Sequence, residues 1–200
     1  YPWSENNPLL LSDVSADLLG GKIIMQQLRM PQHDPALLRV QNISSSELIS
    51  AVNPKQFAMS GPVSGALPLW LDNEKWIIKD GWLTNPGPMT LRIDKDTADA
   101  IVKDNMVAGA AINWLRYMEI SRSWTRINLD NLGELTMQAT IKGTSRVDGK
   151  SSSVNLNYTH DENVFTLWRS LRFGDNLQTW FEQHAAIPGL RSSTGKESEE

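Results

Sequence analysis

The sequence predicts an α+β protein, mainly β, built on a curved antiparallel sheet with amphipathic helices packing on it or capping it. Three observations carry that expectation. From Phe57 to Leu71 every second residue is apolar or glycine (Phe57, Met59, Gly61, Val63, Gly65, Leu67, Leu69, Leu71), and the residues between are smaller or more polar. That is the two-residue period of a strand with one greasy face. Leu135, Met137, Ala139 and Ile141 alternate as cleanly with Glu134, Thr136, Gln138, Thr140 and Lys142. Val107, Ala110, Ala111, Trp114, Leu115 and Met118 instead recur at helical spacing, and a helix so striped must lie on an apolar surface.

Taken in order, Leu9 to Leu18 and Lys22 to Met30 read as strands joined by a turn at Gly20-Gly21, with Gln26 interrupting the second alternation. Ala36 to Asn42 gives a short strand. Ser44-Ser45-Ser46-Glu47 has the form of a capping box for a helix carrying Leu48, Ile49 and Val52, closed by Pro54. The stretch from Phe57 to Leu83 is a long hairpin, turning at Asp72-Asn73, with Trp76, Ile78 and Trp82 on one side of its return strand. Pro62 and Pro68 cannot donate to a ladder, so each belongs at an edge, bulge or break. Gly61 and Gly65 suggest bends, which would split the wall into collinear strands.

Met89 to Ile93 forms a brief strand, and Asp94 or Asp96 caps a helix running toward Met118. Strands then follow over Glu119 to Leu129, Leu135 to Ile141 and Val154 to Tyr158, with a polar loop from Thr144 to Ser153. Asp161 caps a helix with Val164, Leu167, Trp168 and Leu171, and Asp175 another with Leu177, Trp180 and Phe181. From Arg191 to Glu200 nothing can be buried, so residues 191–200 read as a disordered tail and residues 1–190 as one domain.

Two hundred residues suffice for a sizeable core, and the hydrophobic (40%) and charged (21%) shares are those of an ordinary folded domain. A net charge of -4 supplies no electrostatic footprint for nucleic acid. There is no cysteine, hence no disulfide framework, thiolate metal site or thiol nucleophile. No apolar run reaches the ~18 residues of a membrane span. The chain begins at Tyr1 and reads as a segment of a longer protein, with any membrane anchor outside it. Eight tryptophans are the oddity of composition. Their large apolar bodies and single N–H donors suit either a core or the wet rim of a ligand site.

Side-chain chemistry finds no footing. His33, His160 and His184 have no metal-ligand spacing, so no metal or cofactor is expected. Ser64 lacks the preceding glycine of a nucleophile elbow. Asp94, Asp96 and Asp99 lack the glycine and closing glutamate of a calcium loop. The protein is expected not to be an enzyme.

The phrase GALPLWL from Gly65 to Leu71, followed by WIIKDGWLTNPGPMTLRI from Trp76 to Ile93, resembles the C-terminal region of the YdbH branch of AsmA-like, TamB-related envelope proteins. Gly65, Leu67, Pro68, Asp80, Gly81 and Gly87 fall on that pattern, and the likeness continues to LWRSLRFGDNL near the end. The resemblance implies a β-groove, a trough of folded-over sheet that carries phospholipid between the inner and outer membranes. It implies a periplasmic location near the outer membrane, with the full-length protein anchored in the inner membrane. It also implies a partner, a small outer-membrane lipoprotein (YnbE-like), docked at the C-terminal end by β-strand addition.

On that reading the lipid-groove lining is Val63, Leu67, Leu69, Leu71, Ile78, Met137, Ile141, Leu156 and Tyr158, each of which could equally be plain core. The docking edge is Ser153, Val154, Asn155, Leu156, Asn157, Tyr158 and Thr159, with Leu9 to Val14 as second choice. The alternative is a protein-interaction or carbohydrate-binding β-domain without lipid conduction, which clustering of Trp70, Trp76 and Trp82 on one open face would support.

Overall fold

A computed structural model describes residues 2–52, 57–105, 116–166 and 185–186. Their strands are β1 (Leu9–Leu18), β2 (Gly21–Met30), β3 (Ala36–Ser44), β4 (Phe57–Ser60), β5 (Pro62–Leu69), β6 (Trp76–Thr84), β7 (Met89–Ile93), β8 (Tyr117–Asp130), β9 (Glu134–Val147), β10 (Lys150–Asn163) and β11 (Ala185–Ala186). Two helices, α1 (Ser45–Val52) and α2 (Lys95–Asn105), interrupt them. The strands form one open antiparallel sheet in the order β10-β9-β8-β6-β5-β3-β2-β1-β11, so the mainly β class is borne out.

The long wall does split into collinear pieces. β4 and β5 are two parts of one strand, broken at Gly61, whose φ of 104° lies in the region that favours glycine. β4 pairs with β7 and β5 with β6. β6 and β7 in turn lie end to end along a single long partner, β8. Asn85, in the gap between them, pins the bulge of β8: its Oδ1 accepts from the Ser123 N–H at 2.6 Å, and its Nδ2 donates to the Ser121 carbonyl at 3.2 Å. Pro62 opens β5 just after the break, and Pro68 sits where the β5–β6 register slips between Ala66 and Leu69. Both prolines therefore stand where a missing N–H is tolerated.

Gly65 marks a close approach of two strands. A Cβ there would lie 2.0 Å from the Trp82 carbonyl oxygen, a contact no side chain can make. Burial follows three clusters. One gathers Met89, Leu91, Ile93, Met118, Ile120 and Leu156 with Ala98 of α2; the others centre on Leu19, Val40 and Ile43, and on Leu28, Met30 and Ala36. Val63 touches the first two and joins them.

Several expectations need correction. Met118 belongs to β8, fully buried at 0% exposure, and the rest of its proposed helical stripe (Val107, Ala110, Ala111, Trp114, Leu115) lies outside the described residues. Thr144 to Ser153 is not a loop. β9 and β10 run through it and reverse at Asp148-Gly149, both with positive φ (52° and 75°). An Asp-Gly pair is the favoured two-residue hairpin turn, and it outweighs a run of polar residues. The last strand continues past Tyr158 to Asn163, so Asp161 lies inside it. Asn163 instead caps the helical turn at 164–166, its Oδ1 accepting from the Thr166 N–H at 2.9 Å.

Trp82 does not share a side with Ile78. Register slips on either side of Ile78, with Asp80 at φ 56°, turn Trp82 toward Arg126 while Ile78 faces Leu69 and Leu129. The helix expected from Asp175 and the tail 191–200 lie outside the described residues.

The helix caps need only part of what was expected. Ser44 Oγ accepts from the Glu47 N–H at 3.3 Å, as a capping box requires. The Ser44 N–H, however, goes to the Leu19 carbonyl at 2.9 Å, tying α1 to the β1–β2 turn. For α2 the cap is Asp94, whose Oδ1 takes the Thr97 N–H at 2.8 Å.

Candidate functional site

Cross-strand partners share a face of a sheet, so the register assigns every strand residue to one side. One side is apolar in continuous transverse rows. Ala36, Leu69, Ile78, Leu129 and Leu135 follow one another across five strands. A second row runs Val14, Met25, Leu38 and Leu67, then Gly81, Ile127 and Met137. Leu67 bridges its own step, since its Cδ2 lies 2.9 Å from where a Gly81 Cβ would stand. Ile23, Val40, Gly65 and Leu83 belong to a third row, and Ile141 and Leu156 to a fourth.

The opposite side carries Thr136, Gln138, Thr140, Lys142, Asn155, Asn157 and Thr159. Such sidedness makes one face oily and the other wet.

The apolar face is buried most deeply around α2 and less completely toward the turns after β5 and β8. Around α2 it is sealed: Ile93, Ala98, Met118 and Leu156 are between 0% and 4% exposed. At the end formed by the turns after β5 and β8, Leu69, Ile78, Leu129, Leu135 and Met137 are only half-buried. Leu132 in the second of those turns is 75% exposed.

The expected lining residues divide along this line. Val63, Ile141, Leu156 and Tyr158 belong to or pack on the cluster under α2, and Leu67 packs with Val40 and Ile43. Leu69, Ile78 and Met137 lie on the open part. Leu71 does not line it: it stands beyond the end of β5, 56% exposed, because the strand stops at Leu69 and the chain turns.

Sequence reasoning missed the polar margin of this face. On β10 the apolar-side residues after Leu156 are Tyr158, His160 and Glu162, opposite Ala139, Met137 and Leu135. They form a chain, with Tyr158 Oη 3.1 Å from His160 Nδ1 and His160 Nε2 3.0 Å from Glu162 Oε2. The signal was present in the unbroken alternation from Val154 to Glu162, which a strand ended at Tyr158 conceals.

Two margins of the sheet are candidates for pairing. Among the described residues the strand pairing of β10 is with β9, at the margin of the sheet. On the opposite margin, among the described residues, β11 pairs with β1 at Asp17 and Leu18. Leu9, Leu10, Leu11 and Val14 of that strand are 39–54% exposed.

No group of histidines and carboxylates able to hold a metal occurs among the described residues. Nor is any helix there long and apolar enough to cross a membrane. The described residues thus form a mainly β protein, an open antiparallel sheet with one apolar and one polar face. The chain belongs to the YdbH-like family, described as intermembrane phospholipid transport protein YdbH, whose model matches residues 1–186. It is 78% identical over its whole length to the probable phospholipid transport protein YdbH of Escherichia coli (strain K12). It spans 23% of that relative's length. The family is one of transport proteins rather than enzymes, and its intermembrane role accords with an envelope setting. No solved structure matches the chain.

Proposed function

We propose that this segment is a stretch of a periplasmic lipid-transfer bridge, shielding phospholipid acyl chains on the apolar face of its sheet. The observation that carries the reading is the row Leu69–Ile78–Leu129–Leu135 with Met137 beside it, apolar across four strands and only half-buried. Moving an acyl chain of ~16 carbons through water costs roughly 0.8 kcal/mol per CH₂, more than about 10 kcal/mol in all. A continuous oily floor removes that barrier without catalysis. The chain Tyr158–His160–Glu162 gives the floor a polar rim, beside which a lipid headgroup remains hydrated.

Photo-crosslinking residues placed at Leu69 and Met137 of the full-length protein should form phospholipid adducts in cells, while one at Gln138, on the wet face, should not. Equal labelling at all three, or none at Leu69 and Met137, contradicts the reading.

A bridge must also be fastened. The position of β10 and β1 at the two margins supports docking of a small outer-membrane lipoprotein by strand addition, in which a partner strand bonds to the outward backbone of an edge strand. Ser153 to Thr159 is the proposed edge, and the exposed leucines of β1 make Leu9 to Val14 its rival. Proline at Asn155 or Asn157 should abolish partner pull-down if β10 pairs. Loss with Ser12→Pro alone assigns the role to β1.

A further inference from the structure

The polar face of the sheet holds a feature that lipid shielding does not use. Trp82 of β6 and Trp124 of β8 stack at 4.9 Å with their planes 9° apart, and Trp124 remains 49% exposed. The register sets them in two adjacent rows. One runs Arg39, Ala66, Trp82, Arg126, Gln138, Thr159; the next runs Ser64, Thr84, Trp124, Thr140, Asn157. A third, beside Trp124, holds Arg122, Lys142 and Asn155.

Four cations thus surround the indoles, and none forms an ion pair among the described residues. Of the carboxylates on this face, Glu119 lies one row beyond Arg122 and Asp161 one row beyond Thr159, Asp130 and Glu134 stand at the β8–β9 turn, and Asp17 pairs with Lys22. In a chain whose net charge is -4, this is a local excess of positive charge.

We infer that this surface binds an acidic glycan. The exposed indole offers a flat apolar platform for the C–H face of a sugar ring, and Trp82 behind it fixes the ring plane. The arginines on either side hold carboxylates in charge-assisted, bidentate fashion. Threonine, glutamine and asparagine side chains match hydroxyls along a chain lying across the strands. A bilayer is the poorer occupant, because those hydroxyl and amide rows would lose water in the interface without gaining partners. The surface is opposite the oily face, so the inference stands independently of lipid shielding.

The test uses the full 200-residue chain with polygalacturonate as acidic probe, dextran as neutral probe and phosphatidylglycerol vesicles as the membrane arm. Polygalacturonate should bind at low salt, perturb tryptophan fluorescence and weaken as salt rises, while dextran binds less. Trp124→Ala should weaken binding about tenfold, and Trp124→Phe should restore most of it. Arg122→Gln and Arg126→Gln, both at exposed positions, should weaken binding and flatten the salt dependence; they carry the test should Trp124→Ala fail to fold. Absence of polygalacturonate binding, binding indifferent to all four variants, or stronger Trp124-dependent binding to the vesicles overturns the inference.

Discussion

At the scale of single residues, Gly65 shows how sterics, rather than burial, set the geometry of the wall. Its missing side chain lets β5 and β6 close to within a distance that any Cβ would block with the Trp82 carbonyl. Gly65→Ala should therefore destabilise the chain by about 1–3 kcal/mol, measured by urea unfolding, because backbone cannot move aside as a flexible side chain can. The same argument explains why the family-like motif was readable. Leu67 and Gly81 form one contact, in which the Leu67 side chain fills the space that a Gly81 side chain would need, while Gly65 lies against the Trp82 and Leu83 backbone. Asp80 takes φ 56° at the slip of register. The motif records the close pairing of β5 and β6 and says little about ligand. What the sequence concealed was parity, since a single bulge beside Asp80 moves Trp82 to the wet face.

At the scale of elements, strands were legible wherever one face is buried and the other solvated. β1, β2 and β9 start or end within a residue or two of the alternation that predicts them, except where hydroxyl residues extend β9 into its turn. Turn chemistry was the weak point. Asp148-Gly149 folds back a pair of strands whose tips carry mostly serine, threonine and charge, a pattern without an apolar period. Helix α2 is fastened at its start by Asp94. Hydrogen bonds from the Thr97 hydroxyl and then the Thr97 backbone N–H, with the Arg116 charge beyond, hold its carboxyl below the ordinary value of 3.8. Being depressed in the folded state, it adds stability above that ordinary value, and the contribution is lost as pH falls through the lower folded one. Urea titrations between about pH 5 and pH 2.5 should show a shallower loss of stability in Asp94→Asn than in the parent. Identical slopes would remove the cap from the account.

At the scale of the molecule, periodicity foretold an oily face but not where it is covered. Coverage depends on α2 meeting Leu156 across β8 and β9, a contact between distant parts of the chain that no local pattern encodes. The outcome is a floor sealed around Ile93 and Met118 and half-open from Leu69 to Met137. On the proposed reading, one set of alternating residues would serve as core at one end and as lipid floor at the other. Native mass spectrometry of the purified chain tests it most directly. Bound phospholipid should be seen, and should be lost in Leu69→Glu and Met137→Glu variants that keep the parent's far-ultraviolet dichroism. A parent chain free of lipid, or lipid retained equally by both variants, contradicts the account.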